Sequence, residues 1–167
     1  MENFSISKSH EQVVSLLASR GFKSNRMIYD VDKEIPQVVY GAVVSYEELI
    51  GHLYEFCLNL FDSSVYSKTL MIEERCRDVI LRQTFAISSE GCDEGQKKLV
   101  EAFCRNVSEV NWGEQLELSE SINIPIVQEL LLVLGSEIKA ELKDGFFKVS
   151  FDFIMLKPDE DEGQEEA

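Results

Sequence analysis

The sequence predicts an α+β fold in which about five helices pack on a small antiparallel sheet. The first observation is an alternation of apolar and polar residues on both sides of an Asp-Gly pair near the C-terminus. The second is a series of apolar runs at helical spacing, several of which follow a helix-capping signal. The third is the composition, because 44% hydrophobic and 10% aromatic residues are typical of a chain that folds around a core.

A C-terminal β-hairpin is the element that the sequence specifies best. Apolar and polar residues alternate in two strands, near 136–143 and 146–156. The intervening Asp-Gly favours a two-residue turn because both turn positions need positive φ. This turn would place Leu142 opposite Phe147 and gather the apolar side chains of the hairpin on one face.

Five segments have the apolar spacing of helices that bury one face. Two begin with capping-box spacing at Ser9 and Ser45, a third opens at Asp93 with Gln96 as its capping partner, and a fourth carries Pro125 in its first turn. The KTLMIEERCRDVILRQ segment is interpreted as the remaining helix, with its mixed charges on a solvated face. The predicted helices cover residues 9–20, about 45–61, 68–83, from 93 onward and from 125 to about 134.

The domain organisation follows from the remaining segments. Residues 27–31 and 38–44 are rich in β-branched and aromatic side chains, which favours two short strands, or one strand and an extended loop. Residues 1–157 therefore form one globular α+β domain. Residues 158–167, PDEDEGQEEA, form a disordered acidic tail because they carry no apolar side chain to offset the entropy of ordering.

The sequence lacks the signatures of several function classes. It has no phosphate-binding loop, dinucleotide fingerprint, GxSxG, HExxH or calcium-loop pattern, so we expect neither a cofactor nor a metal and predict a protein that is not an enzyme. Its longest apolar run, Leu130–Leu134, is too short for a membrane span, and the N-terminus does not resemble a secretory signal. The four cysteines lack a CxxC pair, so we expect reduced thiols in a cytoplasmic protein.

Acidic residues dominate the charge. The net charge is −15, and the last ten residues account for −6 of it, which leaves −9 on the predicted domain. Such a surface repels nucleic acids and attracts basic surfaces. Solubility is the alternative explanation, since many soluble proteins are acidic without a charged partner.

His52 is the most informative of the two histidines. Glu48 precedes it by four residues and Glu55 follows by three, a spacing that places both carboxylates on its side of a helix. Such a cluster could orient the imidazole or contribute to a metal site, but a surface salt-bridge cluster is the interpretation we favour. His10 lies in the first turn of the first predicted helix, where we expect it to be exposed.

These observations predict a non-enzymatic protein-interaction module of the inhibitor, immunity or adaptor type. Its partner would be a protein with a basic surface, attracted by electrostatic steering, with neither nucleic acid nor a membrane involved. The alternative is a small-molecule-binding or sensory domain with a pocket lined by aromatic residues such as Tyr40, Tyr46, Tyr54 and Phe56. The predicted partner-binding residues are Asp30, Asp32, Glu34, Glu47, Glu48, Glu55, Glu109, Trp112, Glu114, Glu117 and Glu120, with the tryptophan as an apolar anchor.

Overall fold

The computed structural model of the chain describes residues 1–106 and 122–158. They form the following elements in chain order: β1 (Glu2–Phe4), α1 (Ile6–Ser19), β2 (Met27–Val31), β3 (Val39–Gly41), α2 (Val43–Leu60), β4 (Val65–Glu74), β5 (Asp78–Ser88), α3 (Glu94–Asn106), α4 (Ile124–Val133), β6 (Ile138–Lys143) and β7 (Phe146–Leu156). A short 3-10 turn, Ser24–Arg26, leads into β2. The α+β class is as predicted.

One seven-stranded sheet is the central element of the fold. Its strand order is β1-β3-β7-β5-β4-β2, and β6 pairs with β7 beside β3. Most neighbours are antiparallel, but β2 and β4 run parallel, so the sheet is mixed rather than antiparallel. The parallel pair is possible because β3 and α2 lie between these strands in the chain and provide a crossover connection.

The helices cover one face of the sheet. Inward-facing residues on β5 and β7, such as Leu81, Phe85 and Phe151, are almost completely buried, while Arg82 and Ile154 on the same strands point to the opposite face and are exposed. The pattern has the period of two expected when one face of a sheet packs against a core. The molecule therefore has two layers, and its core lies between the sheet and the helices.

The predicted hairpin is confirmed in its turn and its register. Leu142 lies opposite Phe147, and Asp144 and Gly145 form the turn with φ of 53° and 79°. The first strand begins at Ile138, two residues later than predicted, because Gly135 ends α4 with positive φ and Ser136 still donates a backbone hydrogen bond to Leu131.

The predicted helix over residues 68–83 is wrong. This segment forms most of β4 and β5, which are joined by a tight turn in which the Arg75 backbone N–H donates to the Asp78 carbonyl. Four helices lie within the described residues instead of about five. The strands pair over almost their whole length, so the cross-strand ladder outweighs the helical spacing of a few apolar side chains.

Two predicted helix starts are also shifted. Ser5, rather than Ser9, caps α1 by accepting a hydrogen bond from the Lys8 backbone N–H. The second helix begins at Val43, since the Tyr46 backbone N–H already donates to the Ala42 carbonyl and shortens the strand predicted over 38–44. The reciprocal cap of Asp93 and Gln96 on α3 is confirmed, with both hydrogen bonds at 2.8 Å.

Candidate functional site

A groove between α1 and α2 is one concave site in the described part of the chain. It encloses about 450 Å³, within the range of ligand sites in proteins. Both helices contribute to its lining, which consists of Gln12, Val13, Leu16 and Leu17 on α1, Arg20 directly after α1, and Val44, Glu47, Glu48, Gly51, His52 and Glu55 on α2.

The two walls are helices that run in the same direction. Ser9 on α1 donates a hydrogen bond to Glu47 on α2 across 3.1 Å, and Val13 lies opposite Gly51. Four residues further along α1 thus lie opposite four residues further along α2, so the two helices are parallel. The groove extends from Val44 at its N-terminal end to Glu55, about three helical turns or roughly 16 Å at 1.5 Å per residue.

Gly51 makes the middle of the groove deep. A methyl group at this position would meet the Val13 side chain at 3.8 Å, an ordinary van der Waals contact. The glycine is therefore not required by the packing of α1 on α2. Its lack of a side chain leaves space open between the helices.

Apolar side chains and carboxylates face this space together. Val13 and Leu17 form a buried floor, whereas Leu16 is 52% exposed and Val44 is 64% exposed at the groove edges. Three glutamates lie on the α2 wall, whereas Arg20 is the one arginine and there is no lysine among the lining residues. The groove therefore suits an apolar ligand with positive charges beside its apolar surface.

A buried polar cluster beneath α1 fixes the groove walls to the sheet. The His10 ring lies 3.1 Å from the Tyr54 hydroxyl through Nδ1 and 2.9 Å from the Tyr46 hydroxyl through Nε2. Nε2 also lies 3.2 Å from Oε1 of Gln83 on β5, and Gln83 donates to the Ser67 hydroxyl on β4. One imidazole thus connects α1 with α2 and with two strands.

The expectation of an exposed His10 is wrong. Its side chain is fully buried, because α1 begins three residues earlier than predicted and His10 lies in the second turn, packed against α2 and β5. Burial lowers the pKa of His10 to about 4, against a smaller opposing effect of the Gln83 hydrogen bond. The ring is therefore neutral at neutral pH, and its role is structural.

A second, wider cleft continues from the groove. It encloses about 1100 Å³ between β1, the first turns of α1 and residues 31–38, and it shares Gln12, Val44 and Glu47 with the groove. Asp32 lies in this cleft with its carboxylate engaged, since it accepts hydrogen bonds from the backbone N–H groups of Glu34 and Met71. These two bonds lower the pKa of Asp32.

The structure brings some of the predicted partner-binding residues together and separates others. Glu47, Glu48 and Glu55 line the α1–α2 groove, and His52 lies between them as the helical spacing predicted. Asp30 is exposed on β2 and lies outside both cavities, and Glu34 follows the engaged Asp32. The remaining predicted residues, Glu109, Trp112, Glu114, Glu117 and Glu120, lie outside the described residues.

The sequence did not reveal the α1 wall. The helix predicted over residues 9–20 contains Leu16 and Leu17, but its apolar spacing does not show that only Leu17 is buried. Arg20 is the last residue of that predicted helix, and nothing in its spacing indicates that it lines the groove. The available signal for this wall was the width of the apolar stripe on α1, which is greater than one neighbouring helix can cover.

The structure does not support the predicted aromatic pocket. Tyr46, Tyr54 and Phe56 are fully buried, and none of them lines either of the two cavities. Phe56 instead packs on Phe103 of α3 with ring centroids 4.7 Å apart. Within residues 1–106 and 122–158, no group of three or more His, Cys, Asp or Glu side chains is placed to hold a metal ion.

Comparison with solved structures finds a similar fold in histidine kinases. No family model matches the sequence, and no curated protein matches it. The catalytic domain of the histidine kinase ThkA superimposes on 92% of this chain and 95% of its own, with a TM-score of 0.53 and 12% identity. ThkA in complex with the response regulator TrrA matches 93% of this chain and 41% of its own, with a TM-score of 0.55 and 14% identity. Full-length ShkA in complex with AMPPNP matches 93% of this chain and 31% of its own, with a TM-score of 0.65 and 14% identity.

These likenesses contradict the predicted non-enzymatic inhibitor or adaptor. Over more than nine tenths of its length the chain has a fold that is found in catalytic domains of histidine kinases, which are enzymes. The prediction was wrong because it used surface charge and missing motifs, and neither of these determines the fold. The described helices include none that is long and apolar enough to cross a membrane.

Proposed function

We propose that this chain is a nucleotide-binding domain of the histidine-kinase catalytic type. The observation that carries the proposal is the likeness of fold over nearly the whole chain, to ThkA catalytic domains and to ShkA, which was solved in complex with AMPPNP. AMPPNP is an analogue of ATP, so adenine nucleotide is the ligand class to test. The proposed reaction class is phosphoryl transfer, in which positioning and electrostatic stabilisation supply most of the catalysis.

The charge of this chain favours the magnesium complex of the nucleotide over the free nucleotide. ATP without a metal carries several negative charges, and the chain itself has a net charge of −15. A bound magnesium ion would neutralise part of the phosphate charge and so reduce this repulsion. We do not place the phosphates in the α1–α2 groove, since Glu47, Glu48 and Glu55 would repel them there.

Thermal unfolding with and without nucleotide tests the proposal. At a concentration 100 times its Kd, a ligand that binds only the folded state adds about 2.7 kcal/mol. For a chain of this length, that stabilisation raises Tm by about 5–10 °C. We expect AMPPNP with Mg²⁺ to raise Tm by this amount, and Mg²⁺ with inorganic triphosphate to have a smaller effect. An unchanged Tm at millimolar AMPPNP would contradict the proposal.

We further propose that the domain acts together with a protein partner that presents a basic surface. ThkA was solved in complex with a response regulator protein, which supports partnering in general. The acidic residues predicted to bind a partner remain part of this proposal, with Glu47, Glu48 and Glu55 as the group that shares one groove. We also propose a cytoplasmic location and a single domain over residues 1–157 that is followed by an acidic tail.

A further inference from the structure

We propose that the α1–α2 groove is the docking site for one amphipathic helix of the partner, with an apolar stripe flanked by lysines or arginines. The inference rests on the proposed partnering and is independent of nucleotide binding. Three observations carry it: the exposed apolar edges of the groove, its unequal charge and the glycine at its centre.

The apolar edges identify the part of the partner that enters the groove. Leu16 and Val44 are more than half exposed, and the pairing of Val13 with Gly51 places them toward opposite ends of the groove, with the buried Val13 and Leu17 along its floor. Together they offer an apolar strip along two helices, the surface that an amphipathic helix uses in a helix-in-groove complex. The length of about three helical turns fits apolar anchors at positions i, i+3 or i+4, and i+7 of the docked helix.

The charges select the flanks of the docked helix. Glu47, Glu48 and Glu55 lie on the α2 wall, and Arg20 lies at the C-terminal end of the α1 wall. A docked helix with basic side chains would face carboxylates along most of the groove, while an acidic helix would be repelled. Complementary charge thus distinguishes a basic helix from other apolar segments.

Gly51 provides the space for close approach. In the interior of an exposed helix, glycine is less favourable than alanine, and no contact of Gly51 would prevent an alanine at this position. A small residue at the centre of a helical groove permits a third helix to approach the backbone closely. We infer that the most deeply inserted apolar side chain of the docked helix lies over Gly51.

The probe is a synthetic peptide of about 18 residues, long enough for five helical turns, with leucines on one stripe and lysines on both flanks. Its control peptide has the same leucines and replaces every lysine with glutamate. Fluorescence anisotropy measures both affinities, and amide chemical shifts locate the bound peptide. We expect saturable binding of the basic peptide only, with shifts confined to α1 and α2. The proposal would be overturned if binding of the basic peptide did not saturate, if the two peptides bound with equal affinity, or if the chemical shifts changed on elements other than α1 and α2.

Two pairs of variants separate docking from general attraction by an acidic protein. Glu48→Lys with Glu55→Lys should weaken the basic peptide at least about tenfold. Glu101→Lys with Glu129→Lys makes the same change in net charge at exposed positions on α3 and α4, and should weaken it no more than about twofold. Equal losses in the two pairs would contradict docking in the groove.

Filling the groove gives a test that does not depend on charge. Gly51→Leu should abolish binding of the basic peptide, and Gly51→Ala should reduce it in a chain that is at least as stable as the original. Full affinity of either folded variant would overturn the role of Gly51. If the chain binds AMPPNP but not the basic peptide, docking in the groove is refuted and the nucleotide proposal stands. If it binds the basic peptide but not AMPPNP, only nucleotide binding is refuted.

Discussion

At the scale of single residues, His10 determines how α1 attaches to the rest of the molecule. Its imidazole contacts hydroxyl groups on α2 and an amide oxygen on β5, so that both ring nitrogens have partners without solvent. A buried polar cluster of this kind is stabilising only while every member is satisfied. Protonation of the ring would place a charge in a buried site, and this desolvation cost outweighs the support from the Gln83 amide oxygen.

The pH dependence of stability follows from the lowered pKa of His10. Between pH 6.5 and about 4 the unfolded chain binds a proton at this residue and the folded chain does not, so stability is lost as pH falls through this range. The difference in pKa corresponds to about 3 kcal/mol. Urea unfolding of the wild type and of His10→Gln at pH 7 and pH 4 measures this contribution to the free energy of unfolding. The variant, which cannot titrate there, should lose about 3 kcal/mol less than the wild type on acidification, and equal losses would disprove this role.

Arg26 stabilises the end of α2 from outside the helix. Its guanidinium donates to the carbonyl oxygens of Leu58, Phe61 and Ser63, where the helix leaves its last carbonyls without intrahelical partners. We expect Arg26→Lys to lower the free energy of unfolding by about 1–3 kcal/mol, because an ammonium group cannot reproduce the planar fork of donors. Lys23→Ala, at a nearby exposed position, should change it by less than about 0.5 kcal/mol. Urea unfolding compares the two variants, and similar losses would show that the fork is unimportant.

At the scale of elements, Gly51 in α2 and Gly135 after α4 should respond in opposite ways to alanine. Gly51 has room for a methyl group, so Gly51→Ala should raise the free energy of unfolding by about 0.5–1 kcal/mol. Gly135 has φ of 64°, a conformation that strains other residues, so Gly135→Ala should lower it. Chemical denaturation of both variants tests the pair. Destabilisation by Gly51→Ala would mean that α1 and α2 pack more tightly at this point than the structure indicates.

The contrast between the two hairpins explains which elements the sequence could predict. In β6 and β7 the alternation is regular and the turn residues are Asp and Gly, so local signals and tertiary structure agree. In β4 and β5 the inward-facing positions include Ser67, Thr69 and Gln83, the polar partners of the His10 cluster. These residues interrupt the apolar alternation that identifies a strand.

The turn between β4 and β5 concealed the second hairpin further. It contains Arg75, Cys76 and Arg77 and lacks the glycine, proline or asparagine that usually marks a turn. A bulge between Met71 and Glu73 shifts the register once more. Positive and negative side chains at helical spacing in residues 68–83 then favoured a helix instead of two strands.

The candidate site was predictable to the extent that it lies on one element. The spacing of Glu48, His52 and Glu55 placed all three on one side of α2, which the groove lining confirms. Residues of α1 could not be added, since the pairing of α1 with α2 depends on tertiary contacts such as that between Ser9 and Glu47. Residues from two distant segments of a chain form one site only through the fold.

At the scale of the whole molecule, the fold carries the functional argument. Solved structures with only 12–14% identity share this architecture over nearly the whole chain, so sequence patterns alone did not indicate it. The acidic charge did not indicate an inhibitor, and in our proposal it concerns the protein partner rather than the nucleotide. The two proposals assign the charge and the fold to different ligands, a basic helix and an adenine nucleotide.

Isothermal titration of the full chain with AMPPNP and Mg²⁺ tests the central claim most directly. We expect one nucleotide per chain, with affinity that falls when Mg²⁺ is removed and is unchanged in the variant that carries Glu48→Lys and Glu55→Lys, since those glutamates belong to the groove. Adding the basic peptide in the same cell would reveal any coupling between the two ligands. Absence of saturable heat at millimolar AMPPNP, in a chain whose thermal unfolding is cooperative, would contradict the account.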